Sequence, residues 1–278
     1  MAGTLYLVGT PIGNLGDFSP RAVETLERVD FIAAEDTRVT LKLLNHFGIK
    51  KPLVCYFEHN RAEMGEKLLS RLLAGESCAL VTDAGMPAIS DPGEDIVRQC
   101  AANGIPVLAV PGPSALVTAL ALSSLPTQRF TFEGFLAATG KSRREHLESL
   151  KGETRTMIFY EAPHKLLRTL QDLLAAFGDR DVALCRELTK LHEEVIRTTL
   201  SEAVARFTET PPRGEFVLVL RGAPADAGPG ISEEDALALI DRYRAEGLRL
   251  KDACRRAAAE SGYAANALYQ RALEQEKE

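Results

Sequence analysis

Paired cysteines are missing from this chain of 278 residues: five cysteines occur, and none forms a CxxC pair. Cys55, Cys78 and Cys185 lie in apolar, strand-like runs, as expected of small buried hydrophobes in a reducing cytosol. No set of His, Cys and Asp has metal-ligand spacing, so no metal site is expected. Positive charge is short as well. With 33 Lys and Arg against 39 Asp and Glu, the formal net charge is −6. That balance gives no global attraction to nucleic acid and leaves any RNA partner dependent on local basic patches. Met1 to Val8 lacks the basic start and long apolar core of a signal peptide, so no export is expected. The uncharged run from Ile105 to Gln128 is interrupted by Pro106, Pro111, Gly112 and Pro113. These would break a membrane helix, so strand, turn, helix is expected there and no membrane partner.

What remains is 45% hydrophobic and 26% charged without low-complexity segments, a soluble globular chain with material for about two domains. Its most informative stretch is Leu80 to Gly93, LVTDAGMPAISDPG. Ala79, Leu80 and Val81 read as a buried parallel strand, which is continuously apolar rather than alternating. Ligands of open α/β sheets sit outside the carboxyl ends of strands, where Thr82, Asp83 and Gly85 fall here. Pro87, Ser90, Asp91, Pro92 and Gly93 continue the irregular backbone to a helix starting at about Glu94, and such small residues let a ligand reach main-chain groups. A plainer reading makes this a strand-to-helix loop capped by Ser90 or Asp91.

The chain opens with a strand at Thr4 to Val8 and a second glycine-rich loop, GTPIGNLGDFSP, from Gly9 to Pro20. Its glycines match neither GxGxxG nor a phosphate loop with GK[ST], which argues against NAD and ATP. A helix is expected over Pro20 to Arg28 and a strand over Phe31 to Ala34, ending in Glu35-Asp36-Thr37-Arg38. Asp36 or Thr37 could simply cap the next helix, whose stripe is Leu41, Leu44 and Phe47 and whose stop is Gly48. Capping leaves Glu35 and Arg38 unexplained, and adjacent ionisable groups at a strand end suggest a functional rim. A strand over Leu53 to Phe57 and a helix over Ala62 to Ala74 follow, and Val107 to Val110 runs into a third special loop, Pro111 to Ala115. The alternation predicts a mostly parallel sheet covered on both faces, with the three loops side by side at one edge.

Leu125 to Gln128 reads as a linker into a second α/β domain with mixed strands. Its strands are expected at Phe130 to Gly134, Thr156 to Glu161, Val182 to Glu187, Val195 to Thr199 and Phe216 to Leu220, with a basic helix from Lys141 to Leu150. Gly222 to Gly230 makes another linker. Ser232 to Glu278 reads as three short helices parted by Gly247 and Gly262, similar to a helix-turn-helix module. That tail carries 8 Lys or Arg against 10 Asp or Glu, with the basic residues concentrated from Arg242 to Arg256, so a packing element and a phosphate-facing surface both stay open. The expected domains are 1–125, 126–225 and 232–278.

The strings VGTPIGN, AAEDTR, LVTDAGMPAISDPG, VPGPSA, FEGF, FYEAPHK, RELTKLHEE and GEFVLV occur in order over nearly the whole chain. Together they resemble the bacterial small-subunit ribosomal RNA methyltransferase I family, of the tetrapyrrole-methylase superfamily. The resemblance implies two α/β domains with an S-adenosylmethionine cleft between them. It also implies transfer of a methyl group to the ribose 2′-hydroxyl of a cytidine in the decoding centre of 16S RNA. A 30S-subunit context, a cytoplasmic location and a homodimer come with the family. The sequence departs from the family pattern after FEGF, where Leu136 is followed by Ala137, Ala138, Thr139 and Gly140 instead of proline.

By the same resemblance, cofactor contact carries onto Asp83, Gly85, Ala88, Ile89, Ser90, Ser114, Ala115, Leu136, Ala162 and Pro163, and more weakly onto Leu188 and Thr189. Methyl transfer needs a base within hydrogen-bond reach of the hydroxyl. Glu35, Asp36, Asp83, Glu161, His164 and Glu187 are the candidates, and the sequence does not choose among them. Arg38, Arg186 and Lys190 are candidates for positioning phosphate or acceptor, and Lys141, Arg143 and Arg144 for phosphate contact. Duller readings make His164 a helix-start residue and Arg186, Glu187 and Lys190 a solvated ion-pair cluster. A precorrin-type tetrapyrrole methyltransferase would share fold and cofactor, and a cofactor-sensing nucleic-acid-binding regulator would use the tail.

Overall fold

The computed structural model describes residues 2–137, 139–224 and 232–275. Ala138, residues 225–230 of the linker expected over Gly222 to Gly230, and the last three residues of the tail lie outside them. The first sheet joins β1 (Leu5–Val8), β2 (Phe31–Ala34), β3 (Leu53–Cys55), β4 (Cys78–Val81) and β5 (Val107–Val110) in the order β3-β2-β4-β1-β5, every pair parallel. Successive side chains point to opposite faces of a strand. Accordingly Ile32, Ala34, Ala79 and Val81 pack with Ala22 and Leu26 of α1 (Pro20–Arg28) and Leu44 of α2 (Thr37–His46). Phe31, Ala33, Cys78 and Leu80 pack on the other face with Leu68 and Leu72 of α3 (Arg61–Leu73) and Ile96 of α4 (Glu94–Ala102). Burial on both faces is why these strands read as unbroken apolar runs.

Two local expectations need correction. Leu41 does not belong to the buried stripe of α2: it is 48% exposed, and the buried positions are Thr40 and Leu44, one turn apart. The third strand stops at Cys55 rather than Phe57, because the Phe57 amide is drawn 2.9 Å to the Asn60 side chain and the chain turns toward α3.

The second sheet has the order β6-β7-β10-β8-β9, from β6 (Phe130–Gly134), β7 (Thr156–Glu161), β8 (Asp181–Arg186), β9 (Glu194–Thr199) and β10 (Phe216–Leu220). Only β6 and β7 pair parallel; the other pairs are antiparallel. One face carries α6 (Gly140–Ser149) with α7 (Pro163–Phe177), which the sequence reading had only as a possible helix start at His164, and α8 (Leu200–Glu209), which it lacked. The opposite face receives α5 (Ala115–Leu122), whose Leu116, Ala119 and Leu120 pack on Ile158, Ala183 and Val217. The uncharged run after β5 is therefore the helix that leaves the first sheet to cover the second. Through that shared core both sheets belong to one compact unit, Met1–Gly222, within which the expected boundary at residue 125 falls between α5 and β6.

Ala223–Glu278 forms a second unit. Its helices are α9 (Glu233–Ala245), opened by a reciprocal Ser232–Asp235 capping box, α10 (Leu250–Ser261), ended by Gly262 in the left-handed conformation, and α11 (Ala265–Gln275). Ala236, Ile240, Tyr243, Ala253, Ala257 and Leu268 form its own core. No helix among the described residues is long and apolar enough to cross a membrane.

Candidate active site

Since β4, β1 and β5 are neighbours, the loops that follow them meet at one edge of the first sheet. Thr10 and Gly85 exchange backbone hydrogen bonds of 2.9 and 3.1 Å, and the buried Thr10 hydroxyl donates to the Thr82 carbonyl at 3.0 Å. Gly9 and Gly112 touch backbone to backbone: a Cβ on Gly9 would lie 2.7 Å from the Gly112 Cα, so only glycine fits. The second sheet's loops close over the same edge. A Cβ on Gly13 would meet the Lys190 Cγ at 2.4 Å, and the Leu116 amide donates to the Tyr160 hydroxyl at 3.2 Å.

These loops enclose a cavity of about 490 Å³. Of the expected cofactor contacts, Asp83, Gly85, Ile89 and Ser90 line it from the first sheet, Ser114 and Ala115 from the start of α5, and Ala162, Pro163 and Leu188 from the second sheet. Ala88 stands just outside, held at φ 66°. A left-handed non-glycine residue is costly, and such residues cluster at ligand sites. Two more, Glu187 at 49° and Thr189 at 66°, flank Leu188 on the opposite wall. The Thr189 hydroxyl is buried without a hydrogen-bond partner. Leu136 is a correction: its side chain is 4% exposed and packs into the core beneath α6 and α7 instead of the cavity.

The lining is acidic, with Glu35, Asp83, Asp91, Glu161 and Glu215 against Lys190. Thr82 donates to Glu35 Oε2 at 2.6 Å, and the Asp36 amide donates to Asp83 Oδ1 at 3.1 Å, which fixes two of these carboxylates at the ends of β2 and β4. Burial, then the Glu35 charge, pushes Asp91 from 3.8 up to about 6. Asp83 is raised for the same two reasons. Asp91 lines the cavity as well; the sequence reading placed it in the ligand loop, or as a helix cap, without counting it among the candidate carboxyls. Its signal was its place in SDPG beside two other acids, but nothing in the string shows that it turns inward.

The other candidate bases are placed differently. Asp36 caps α2, accepting from the Arg38 amide at 2.8 Å, and the forked Arg38 guanidinium pulls its carboxyl from 3.8 down to about 2. A carboxylate held that low is a weak base. Glu187 accepts from the Glu215 amide at 2.8 Å and the Lys190 ammonium at 3.0 Å, the first chiefly lowering its pKa. His164 is exposed on the first turn of α7 and outside the lining. Glu161 lines the cavity, with one oxygen taking the Ala162 amide at 2.9 Å and the other the Thr169 hydroxyl at 2.5 Å. Among the described residues no group of three or more His, Cys, Asp and Glu is placed to hold a metal.

Of the expected cations, Arg143 is the clear correction. It is 5% exposed, forms a 2.7 Å ion pair with Asp172, and donates to the Thr169 hydroxyl and the Ala137 carbonyl, each at 2.9 Å. Through Thr169 it supports Glu161 from below, and its burial keeps the guanidinium from reaching a phosphate outside. Lys141 and Arg144 are exposed, Lys141 3.5 Å from Glu145. Arg186 is partly buried against Glu194, Lys190 bridges Glu187 and Glu215, and Arg38 projects into solvent from its fork on Asp36.

Comparison with known proteins narrows the chemistry. The profile of the tetrapyrrole (corrin/porphyrin) methylases matches residues 4–204, and that of the RsmI C-terminal HTH domain matches 231–276. A ribosomal RNA small subunit methyltransferase I of Synechocystis sp. is 50% identical over 99% of both chains; one of Pseudomonas aeruginosa is 47% identical over 99% of this chain and 98% of its own. The chain belongs to the ribosomal RNA small subunit methyltransferase I family. Solved structures share the fold of its first unit. Uroporphyrin-III C-methyltransferase from Thermus thermophilus is 21% identical with a TM-score of 0.55, covering 78% of this chain and 94% of that one. A diphthine synthase is 15% identical with a TM-score of 0.62, covering 79% and 90%. Of the family's motif strings, VGTPIGN, AAEDTR, LVTDAGMPAISDPG and VPGPSA converge on the strand-end loops, and RELTKLHEE closes the cavity from the second sheet.

Proposed function

We propose that this chain transfers the methyl group of S-adenosylmethionine to the ribose 2′-hydroxyl of a cytidine in the decoding centre of 16S ribosomal RNA, acting on the 30S subunit as a cytoplasmic homodimer. The observation that carries the reading is an acidic strand-end cavity in a chain that matches ribosomal RNA methyltransferases over its whole length, helical tail included. Clustered, partly buried carboxylates repel one another, and a cationic ligand relieves that cost. The donor fits on this count, carrying a sulfonium and an ammonium, and a cavity of about 490 Å³ is of ligand size. Bound there, it supplies an electrophilic methyl carbon.

The chain's residues then have two tasks, to orient the acceptor and to take its proton. Asp83 and Asp91 face the cationic end of the donor, and Ser114, Ala115 and Ala162 offer main-chain groups to the rest. Glu35 is the proton acceptor: Thr82 holds Oε2, while Oε1 has no hydrogen bond among the described residues. Holding reactants in line supplies much of the acceleration in such a displacement. Phosphates of the same RNA are kept out by the acidic lining and met outside by Lys141, Arg144 and Arg38.

The test is incubation of the parent and Glu35→Gln with labelled S-adenosylmethionine and 30S subunits, followed by mapping of the label. The parent should label one cytidine ribose, and Glu35→Gln should bind the donor normally yet transfer at least about 100-fold more slowly. Label on a base, or on a precorrin acceptor in place of RNA, would reject the assignment.

A further inference from the structure

Leu191 is the most exposed large apolar side chain among the described residues, at 93%. The loop that carries it is built to keep its shape. Lys190 N–H donates to the Glu187 carbonyl at 3.0 Å and Glu193 N–H to the Lys190 carbonyl at 3.1 Å, two successive turns with Leu191 and His192 at the tip of the second. Lys190 Nζ ties the base of the loop to Glu187 and Glu215 at 3.0 and 2.8 Å, and the Thr189 amide donates to Glu193 at 2.5 Å. Glu187 and Thr189 hold left-handed backbone that only a fully determined loop sustains. Leu188 and Lys190 line the cavity, so the tip rises from its rim.

The charges of the loop and of the segment before β10 indicate what the tip meets. Glu187 and Glu215 are taken by Lys190, Glu194 by Arg186 and Arg206, and Glu193 by the Thr189 amide. Arg213, whose carbonyl accepts from Arg186 Nε at 2.6 Å, is exposed and makes no ion pair among the described residues. A fixed apolar tip, together with an exposed guanidinium on the segment that Arg186 at the end of β8 holds, suits a stacked nucleic acid. Leucine is among the side chains that enter base steps as wedges, and arginine neutralises phosphate. The acidic cavity cannot admit the sugar-phosphate backbone, so the acceptor ribose has to be turned toward it from outside.

We propose that Leu191 is a wedge that opens the base stack beside the acceptor nucleotide and turns its 2′-hydroxyl toward the cavity, with Arg213 holding the adjoining phosphate. The inference rests on the RNA-methylating reading above and makes Leu191 a positioning residue. With the full chain, Leu191→Ala should slow single-turnover methylation of 30S subunits about tenfold or more at saturating donor. Donor affinity and melting temperature should stay at parental values, and Leu191→Phe should recover most of the rate. In a short RNA hairpin carrying 2-aminopurine, the parent should raise the fluorescence on binding and Leu191→Ala should not. Parental rate and parental fluorescence in Leu191→Ala overturn the wedge. So does a change in oligomeric mass of that variant, which would assign the tip to a second copy of the chain. If the parent methylates no 30S subunit yet unstacks the hairpin through Leu191, the wedge stands and the methylation reading falls.

Discussion

Replacing Asp91 by asparagine should make the protein more stable and worse at binding its donor. Burial, assisted by the Glu35 charge, holds the Asp91 carboxyl at about 6 instead of 3.8. Such a displacement corresponds to about 3 kcal/mol between protonation states, and partial exposure reduces the usable amount to about 1–1.5 kcal/mol. Because the folded value lies above the unfolded one, the native state binds more protons between 3.8 and about 6, and stability falls as pH rises through that window. The penalty is complete above about 6 and absent below 3.8. Asp91→Asn has the same size and no charge, so at pH 7.5 it should melt about 3–5 °C higher than the parent. The gap should close as the pH approaches 4. Donor affinity should fall about tenfold at neutral pH, since one attraction to the cation is lost. In the parent, affinity should weaken below about 6, with a proton released on binding. Thermal unfolding across that pH range, with calorimetric titration in buffers of different ionisation enthalpy, measures each quantity. A stability difference independent of pH, or unchanged donor affinity in Asp91→Asn, would refute the reasoning.

Arg143 should separate from its neighbours: Arg143→Ala should cost about 2–3 kcal/mol by leaving Asp172 and Thr169 without their partner. Lys141→Ala with Arg144→Ala should leave unfolding unchanged and lower the salt slope of RNA binding by about 2; filter binding across salt concentrations distinguishes the cases. Truncation after Gly230 removes a unit with its own core, so donor affinity measured by calorimetry should stay within about twofold. Methylation of 30S subunits should drop through substrate capture, since exposed Arg249 and Lys251 go with the tail. Unchanged catalytic efficiency would make the tail a packing element.

The central strands of the first sheet were legible because burial on both faces leaves no polar position to blur them, as in Phe31–Ala34 and Cys78–Val81. The strand-end loops were legible for the opposite reason, since Gly9 and Gly112 mark where backbones touch. Facing was harder to read. Leu41 and Leu44 are chemically identical, and only the position of α2 on the sheet decides that Leu44 is buried. Lys141, Arg143 and Arg144 form one basic cluster in sequence, yet a helix turns adjacent residues by about 100° and sends Arg143 inward to an aspartate 29 positions away. Asp91 was hidden likewise. Its inward turn depends on the path between Gly85 and Gly93, both in glycine-favoured backbone, which no local pattern specifies.

The acidic lining also bears on how turnover ends. The donor carries a positive sulfur, whereas the demethylated product is a neutral thioether. The same enclosure, five carboxyl side chains against one lysine, therefore holds the product less firmly than the donor. A single charge at such range is worth about 1–3 kcal/mol in partly solvated surroundings. Chemistry itself thus switches off part of the grip. Asp83 and Asp91, whose burial makes the empty protein less stable, are the groups whose hold on the donor weakens once the methyl has gone.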